Sequence, residues 1–274
     1  MAADAFLLAL AAAFVHAVWN LLTAGADESQ VAAGVALLIG ALVFAPVGLL
    51  AGDVGADALP YAAASVALEL GYMACLATAY QRGPLSVVYP VARGTAPVLV
   101  LIGSALFLAT TPTVEQVSGV LLVGAGVLLV RGRRTTGTAA DLGLALLTAV
   151  FIAGYTVVDK RGLEHADPLP YLELVLGPTA LVYVALALAM RGGPAVRAEV
   201  RPRTALAGVG MLAAYGLALA ALDRAPAPAV AAVRETSVVI AAGLAAVFLR
   251  EPVGTARAGG AALVAAGIAA IALG

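Results

Sequence analysis

Stretches of about twenty apolar residues follow one another along nearly the whole chain, separated by short polar breaks. Such a run spans the hydrocarbon core of a bilayer only if its backbone hydrogen bonds are closed internally, as a helix or a closed barrel. The runs are too long for strands and show no apolar/polar alternation, so helices are expected. Parsing by charges, Pro and Gly predicts ten spans, near 5–24, 31–51, 58–80, 84–108, 114–131, 141–159, 169–190, 204–222, 226–249 and 255–273. Composition agrees: 63% of the 274 residues are hydrophobic and 11% charged, with a mean hydropathy of +1.04. That excludes a soluble globular domain, which lacks the polar surface to wrap such a core. It also excludes a disordered chain and a disulfide scaffold. Fifteen Lys+Arg against sixteen Asp+Glu leave no field for nucleic acid. The single cysteine, Cys75, cannot form an internal disulfide.

The connections are short, and the longest, Arg131 to Asp141 and Arg191 to Arg203, are too short for a separate soluble domain. The first apolar run resembles a signal peptide in length only. Met1-Ala2-Ala3-Asp4 has no basic n-region, and the run carries His16, Trp19 and Asn20, so it reads as a retained first helix. The loops after spans 1, 3, 5, 7 and 9 hold Arg82, Arg131, Arg133, Arg134, Arg191, Arg197, Arg201, Arg203, Arg250 and Arg257. The opposite side holds Lys160, Arg161 and Arg224. The positive-inside rule then puts both termini outside a plasma or inner membrane.

The sequence repeats itself. Shifting it by 141 residues brings Arg93 to Val127 onto Arg234 to Ile268. Arg93 meets Arg234, Thr95 meets Thr236, Phe107-Leu108 meets Phe248-Leu249, Gly119 meets Gly260 and Gly126 meets Gly267. Arg and Phe are scarce here, so these matches count for more than Ala on Ala. Arg82-x-Pro84 meets Arg224-x-Pro226 one residue out of step. Ala13, Ala17 and Trp19 face Ala149, Ala153 and Tyr155 more loosely. Ten spans in two similar halves give five per half. An odd number forces the second half to enter from the other side, as in the inverted repeats of secondary transporters. The expected architecture is an all-α integral membrane protein of ten transmembrane helices, with repeats over residues 1–135 and 139–274.

His16-Ala17-Val18-Trp19-Asn20 resembles the opening of the EamA-type branch of the drug/metabolite transporter superfamily. Pro90-Val91-Ala92-Arg93-Gly94-Thr95-Ala96-Pro97 in span 4 is similar too, as is Phe248-Leu249-Arg250-Glu251-Pro252 closing span 9. The resemblance covers essentially the whole chain. It implies a ten-helix carrier with a central cavity formed mainly by the first, third, fourth, sixth, eighth and ninth helices. One departure stands out: the first half leaves its fourth helix as Thr110-Thr111-Pro112, without the glutamate.

Ionisable groups inside a membrane each cost about 2.5–3.5 kcal/mol on insertion scales and face protein or water. Four lie deep: Glu69, Arg93, Arg234 and Glu235, summing to zero formal charge. Arg93 and Arg234 are pseudo-equivalent. Either they bind an anionic substrate group with their guanidinium forks, or they lock the bundle through ion pairs with Glu69 and Glu235. Glu235 faces Gly94 in the repeat, so the halves differ there. His16, Trp19 and Asn20 share one helix face. His16 titrates in a range suited to carrying a proton, and Glu69 and Glu235 are further proton-coupling candidates. Glu69, Tyr72 and Tyr80 form a stripe on span 3. Tyr72, Tyr89, Tyr155 and Tyr215 are the tyrosines expected at a cavity. Asp159-Lys160-Arg161 reads as a membrane-interface mark, and Glu173 likewise. Pro90, Pro97, Pro226 and Pro228 predict kinks in spans 4 and 9. Spans 5 and 10, rich in glycine, read as scaffold.

No phosphate-binding loop exists, so ATP is not the direct energy source. No metal or cofactor site is read: the second histidine, His165, lies in a loop without a carboxylate cluster. The expected function is secondary active transport of a small organic solute, such as an amino acid or related metabolite, by alternating access. Partners are the solute, the lipid bilayer and a coupling proton, with the chain a monomer or homodimer. The alternatives are an intramembrane enzyme acting on a lipid-borne substrate, or a scaffold that does not transport. Against the enzyme, the chain has no His-Glu-x-x-His, no nucleophile elbow and no paired aspartates on facing helices.

Overall fold

The computed structural model of the protein describes residues 1–23, 29–82, 85–130, 138–248 and 254–273. Over these residues the chain forms helices, and no strand beyond an isolated bridge between Val54 and Ala166. The first half comprises α1 (Ala3–Thr23), α2 (Ser29–Leu50), α3 (Leu59–Arg82), α4 (Leu85–Phe107) and α5 (Val114–Val130). The second comprises α6 (Ala139–Gly162), α7 (Pro168–Ala198), α8 (Pro202–Arg224), α9 (Ala227–Arg234), α10 (Thr236–Phe248) and α11 (Thr255–Leu273). Each of the ten apolar stretches is therefore helical in its described part, the ninth in two pieces. Seven described segments are long and apolar enough to cross a membrane. The apolar stretches Val91–Phe107, Val114–Val130 and Ala258–Ala272 are shorter.

Local sequence explains several boundaries. Thr138 and Asp141 form a reciprocal capping box that starts α6. Proline in the first turn opens α7, α8 and α9, where its missing N–H costs nothing. Gly192, at φ 81°, bends the end of α7, a left-handed backbone that favours glycine. The expected kinks at the prolines are not where the ninth stretch breaks. Pro226 and Pro228 lie at the start of α9, and α4 runs through Pro90 and Pro97 as one helix. The break falls at Glu235, where its N–H bonds Ala232 O and its carbonyl accepts from Val238, both i to i+3.

The packing pairs helices across the two halves. α1 lies on α8 and α6 on α3; α4 lies on α6, and α9 and α10 on α1; α2 meets α7, and α5 meets α11. The α5–α11 contact is close because it is made by glycines. A Cβ on Gly126 would sit 2.7 Å from Gly260 O, and one on Gly267 would sit 2.6 Å from Gly119 O. Such backbone approach is how small residues replace hydrophobic drive in helix association within lipid. Large apolar side chains such as Leu42, Leu106, Phe107 and Val114 point outward, a surface suited to acyl chains and not to water.

Backbone pairing ties the α2–α3 and α6–α7 loops together. Gly55 N–H donates to His165 O at 2.8 Å, and Asp167 N–H to Asp53 O at 3.0 Å. Asp53 N–H in turn donates to Asp167 Oδ2 at 2.8 Å, and Tyr61 stacks on His165. This end of the bundle also carries the Arg224–Asp4 ion pair and Lys160, which donates to Leu222 O. Arg203 donates to the end of α1 at the opposite end of α8. Arg131, Arg133, Arg134 and Arg250, with the Leu249-Arg250-Glu251-Pro252 motif, lie outside the described residues.

Candidate functional site

Arg93 sits nine residues into α4 and is 5% exposed; Glu235, 3% exposed, closes α9. Arg93 Nε stands 3.0 Å from Glu235 Oε2, and an Arg93 terminal N–H donates to Ser237 Oγ at 3.1 Å. Arg93 is thus held from across the repeat by two side chains flanking the break between α9 and α10. The pseudo-equivalent arginine has no such setting. The shift of 141 residues that carries Arg93 to Arg234 carries Gly94 to Glu235 and Ala96 to Ser237. Where the second half offers Arg93 a carboxylate and a hydroxyl, the first half offers Arg234 a glycine and an alanine. Accordingly, among the described residues Arg234 makes no ion pair or hydrogen bond, and it is only half-buried. Both arginines line a pocket of ≈ 10 Å³ with Pro97, Ile152, Thr156 and Glu235, room for about one water molecule.

On one side of the arginines is α1. His16 is within electrostatic range of both guanidinium groups and meets Trp19 edge-on, with ring centroids 4.9 Å apart. The Asn20 amide donates back to His16 O at 2.9 Å, so this group supports its own helix. Trp19 packs over Gly210 of α8.

On the other side is a set of polar side chains that the sequence reading had only in part. Tyr72 of α3, Tyr155 of α6 and Tyr215 of α8 form a chain of rings, with centroids 6.2 and 6.1 Å apart. Tyr215 Oη donates to Asp159 Oδ2 at 2.6 Å, and Tyr171 Oη to Asp159 Oδ1 at 3.2 Å. Glu69, 5% exposed, is within electrostatic range of Asp159 and Arg234.

Asp159 corrects the interface assignment. It is 1% exposed and points inward, although Lys160 and Arg161, its neighbours in sequence, reach the bundle end. A helix turns a residue's neighbours through about 100°, so Asp159 can face inward while the next two residues face out. Its spacing of i+4 from Tyr155 was the available signal. Ser65, Tyr171 and Ser237 were also not singled out; hydroxyls carry no charge that would make them conspicuous in an apolar run.

The described residues therefore bring together His16, Trp19, Glu69, Tyr72, Arg93, Tyr155, Tyr215, Arg234 and Glu235, and add Asp159. The side chains of Tyr80 and Tyr89 lie outside those described. Glu173 is half-buried in the second turn of α7. No group of three or more His, Cys, Asp or Glu among the described residues is arranged to hold a metal.

A solved structure described only as "Crystal structure of protein" shares the fold, with a TM-score of 0.76 and 20% sequence identity over 98% of this chain and 95% of that one. No curated protein matches the sequence. The model of the EamA-like transporter family matches twice, over residues 4–132 and 141–273, which is nearly the whole chain in two repeats. The chain is a multi-pass membrane protein that belongs to the EamA-like transporter family, within the drug/metabolite transporter superfamily.

Proposed function

We propose that the protein is a secondary active transporter moving a small organic solute with an anionic group, an amino acid or related metabolite, by alternating access. The observation that carries this reading is Arg234. It is a half-buried guanidinium at the break between α9 and α10, with no ion pair or hydrogen bond among the described residues. An intramembrane cation without a fixed partner is costly and suits a charge that arrives with a ligand. Arg93, clasped by Glu235 and Ser237, organises the site instead.

The packing supports two inverted five-helix repeats, residues 1–135 and 139–274. Gly119 meets Gly267, and Gly126 meets Gly260, while the repeat equates Gly119 with Gly260 and Gly126 with Gly267. Each residue thus touches the counterpart of the other, the signature of a two-fold relation. A site on that axis can be exposed alternately by exchanging the conformations of the halves.

The test is flux into proteoliposomes over a panel of labelled amino acids and organic acids, under an imposed pH gradient. The expected result is saturable flux of at least one solute, abolished in Arg234→Ala. Flux unaffected by that substitution would overturn the site, and absence of flux for the whole panel would overturn the function.

A further inference from the structure

α3 and α4 follow one another in the chain, yet each packs on α6 and they scarcely meet each other. The gap between them is a groove of ≈ 580 Å³, floored by Gly154 and Val157 of α6 and walled by Leu99, Ile102 and Leu106 of α4. That volume falls within the range of about 300–1,000 Å³ that ligand sites occupy. The groove shares no lining residue with the small pocket between the arginines, so it is a separate feature. It opens sideways: Ile102, Leu106, Phe107 and Val150 along it are between 49% and 71% exposed. On the flank of a multi-pass membrane protein, what meets such a surface is the bilayer.

Length and polarity narrow the occupant. From Val150 to Arg161 the groove follows α6 for about 16 Å at 1.5 Å per residue. That is close to half of a hydrocarbon core of about 30 Å, the depth of one leaflet. Arg161 and Tyr61 line its polar end, and both are residue types that anchor at a membrane interface. Arg161 makes two hydrogen bonds to Glu164 and one to Phe107 O, so donors remain among its five N–H groups. The loop beside this end is acidic. Glu164 and Asp167 flank His165, which stacks on Tyr61, and Asp167 is bonded to Asp53. One guanidinium among carboxylates suits a head group that carries both a phosphate and an ammonium, and repels one that is only anionic.

We infer that this groove binds one phospholipid of the leaflet at the loop-paired end. An acyl chain lies along α6, the phosphate is on Arg161, and an amine head group is beside Glu164. The lipid fills the gap between α3 and α4 and so supports α4, the helix that carries Arg93, against α6. The site rests on the placement of the chain in a membrane and not on the transport reading above.

The test is native mass spectrometry of the purified full chain, delipidated in detergent and titrated with dioleoyl phosphatidylethanolamine. The expected result is one lipid retained per chain, with a rise in melting temperature, since the lipid binds only the folded state. Val150→Trp and Ile102→Trp add bulk at exposed positions in the groove, and each should abolish both signals. Leu181→Trp, equally exposed to the bilayer but on α7 outside the groove, should abolish neither. Arg161→Ala should weaken binding about tenfold, the worth of one hydrogen bond to a charged group. Glu164→Gln should erase the preference over dioleoyl phosphatidylglycerol. Absence of a retained lipid on the native chain, or its survival in both tryptophan variants, would overturn the site. Equal loss in Leu181→Trp would do the same, showing unspecific coating. Tighter binding of phosphatidylglycerol by the native chain would overturn the amine head group. A lipid-free dimer that Val150→Trp splits would overturn the lipid in favour of a second copy of the chain. Melts of the lipid-free variants identify any that misfolds, and two separate filling positions keep the site open to refutation if one does.

Discussion

Arg93 and Arg234 occupy equivalent places in the two repeats and meet opposite environments, because two small residues in one half became Glu235 and Ser237 in the other. Their substitutions should therefore behave differently. Arg93→Ala strands the Glu235 carboxylate in an apolar interior and is expected to cost about 3–5 kcal/mol. Arg93→Ala with Glu235→Ala should recover much of that, since an absent pair costs less than a broken one. Arg234→Ala, which breaks no ion pair among the described residues, should leave the melting temperature near native and act on transport alone. Thermal unfolding in detergent, followed beside the flux assay, checks all three. The sequence marked four deep charges, and all four are among the described residues. Asp159 was read instead as an interface mark, because its basic neighbours suggested one while the helical turn aimed it inward.

At the level of elements, the glycines of α5 and α11 set how closely the halves meet. Gly260→Leu would drive a side chain into the backbone of Gly126 and Val130, and overpacking of this kind costs about 1–3 kcal/mol. Gly143→Ala in α6, with nothing within 4 Å of the added Cβ, should be silent. Melting curves of the two variants check the contrast. The helices themselves were legible from apolar length, since lipid leaves the backbone no other partner. The break in the ninth stretch was not. Proline marked the start of α9, where it fits, while the change of bonding came at Glu235. That residue carries no strong intrinsic breaking tendency.

For the whole molecule, the two ends of the bundle differ in charge. Asp4, Asp53, Asp57, Glu164, Asp167 and Asp223 gather with Lys160, Arg161 and Arg224 at the end closed by the paired loops. Arg191, Arg197, Arg201 and Arg203 belong to the α7–α8 connection at the other end. We propose, on the positive-inside rule, that the latter faces the cytoplasm. In a Cys75→Ala background, Asp57→Cys should react with a membrane-impermeant maleimide from outside intact cells. Arg197→Cys should react only after permeabilisation, both positions being exposed. The reverse pattern would invert the orientation.

Apolar length and scarce charge were enough, without coordinates, to require a bundle of membrane helices, because hydrogen-bond closure within each segment is a local demand. The shift of 141 residues was likewise enough to expect two related halves. Which buried charges satisfy each other was decided only in three dimensions. Arg93 finds Ser237 at a separation of 144 residues, and Tyr215 finds Asp159 at 56. Coulomb attraction and hydrogen bonding depend on distance through the bundle, which helix packing sets and sequence order does not.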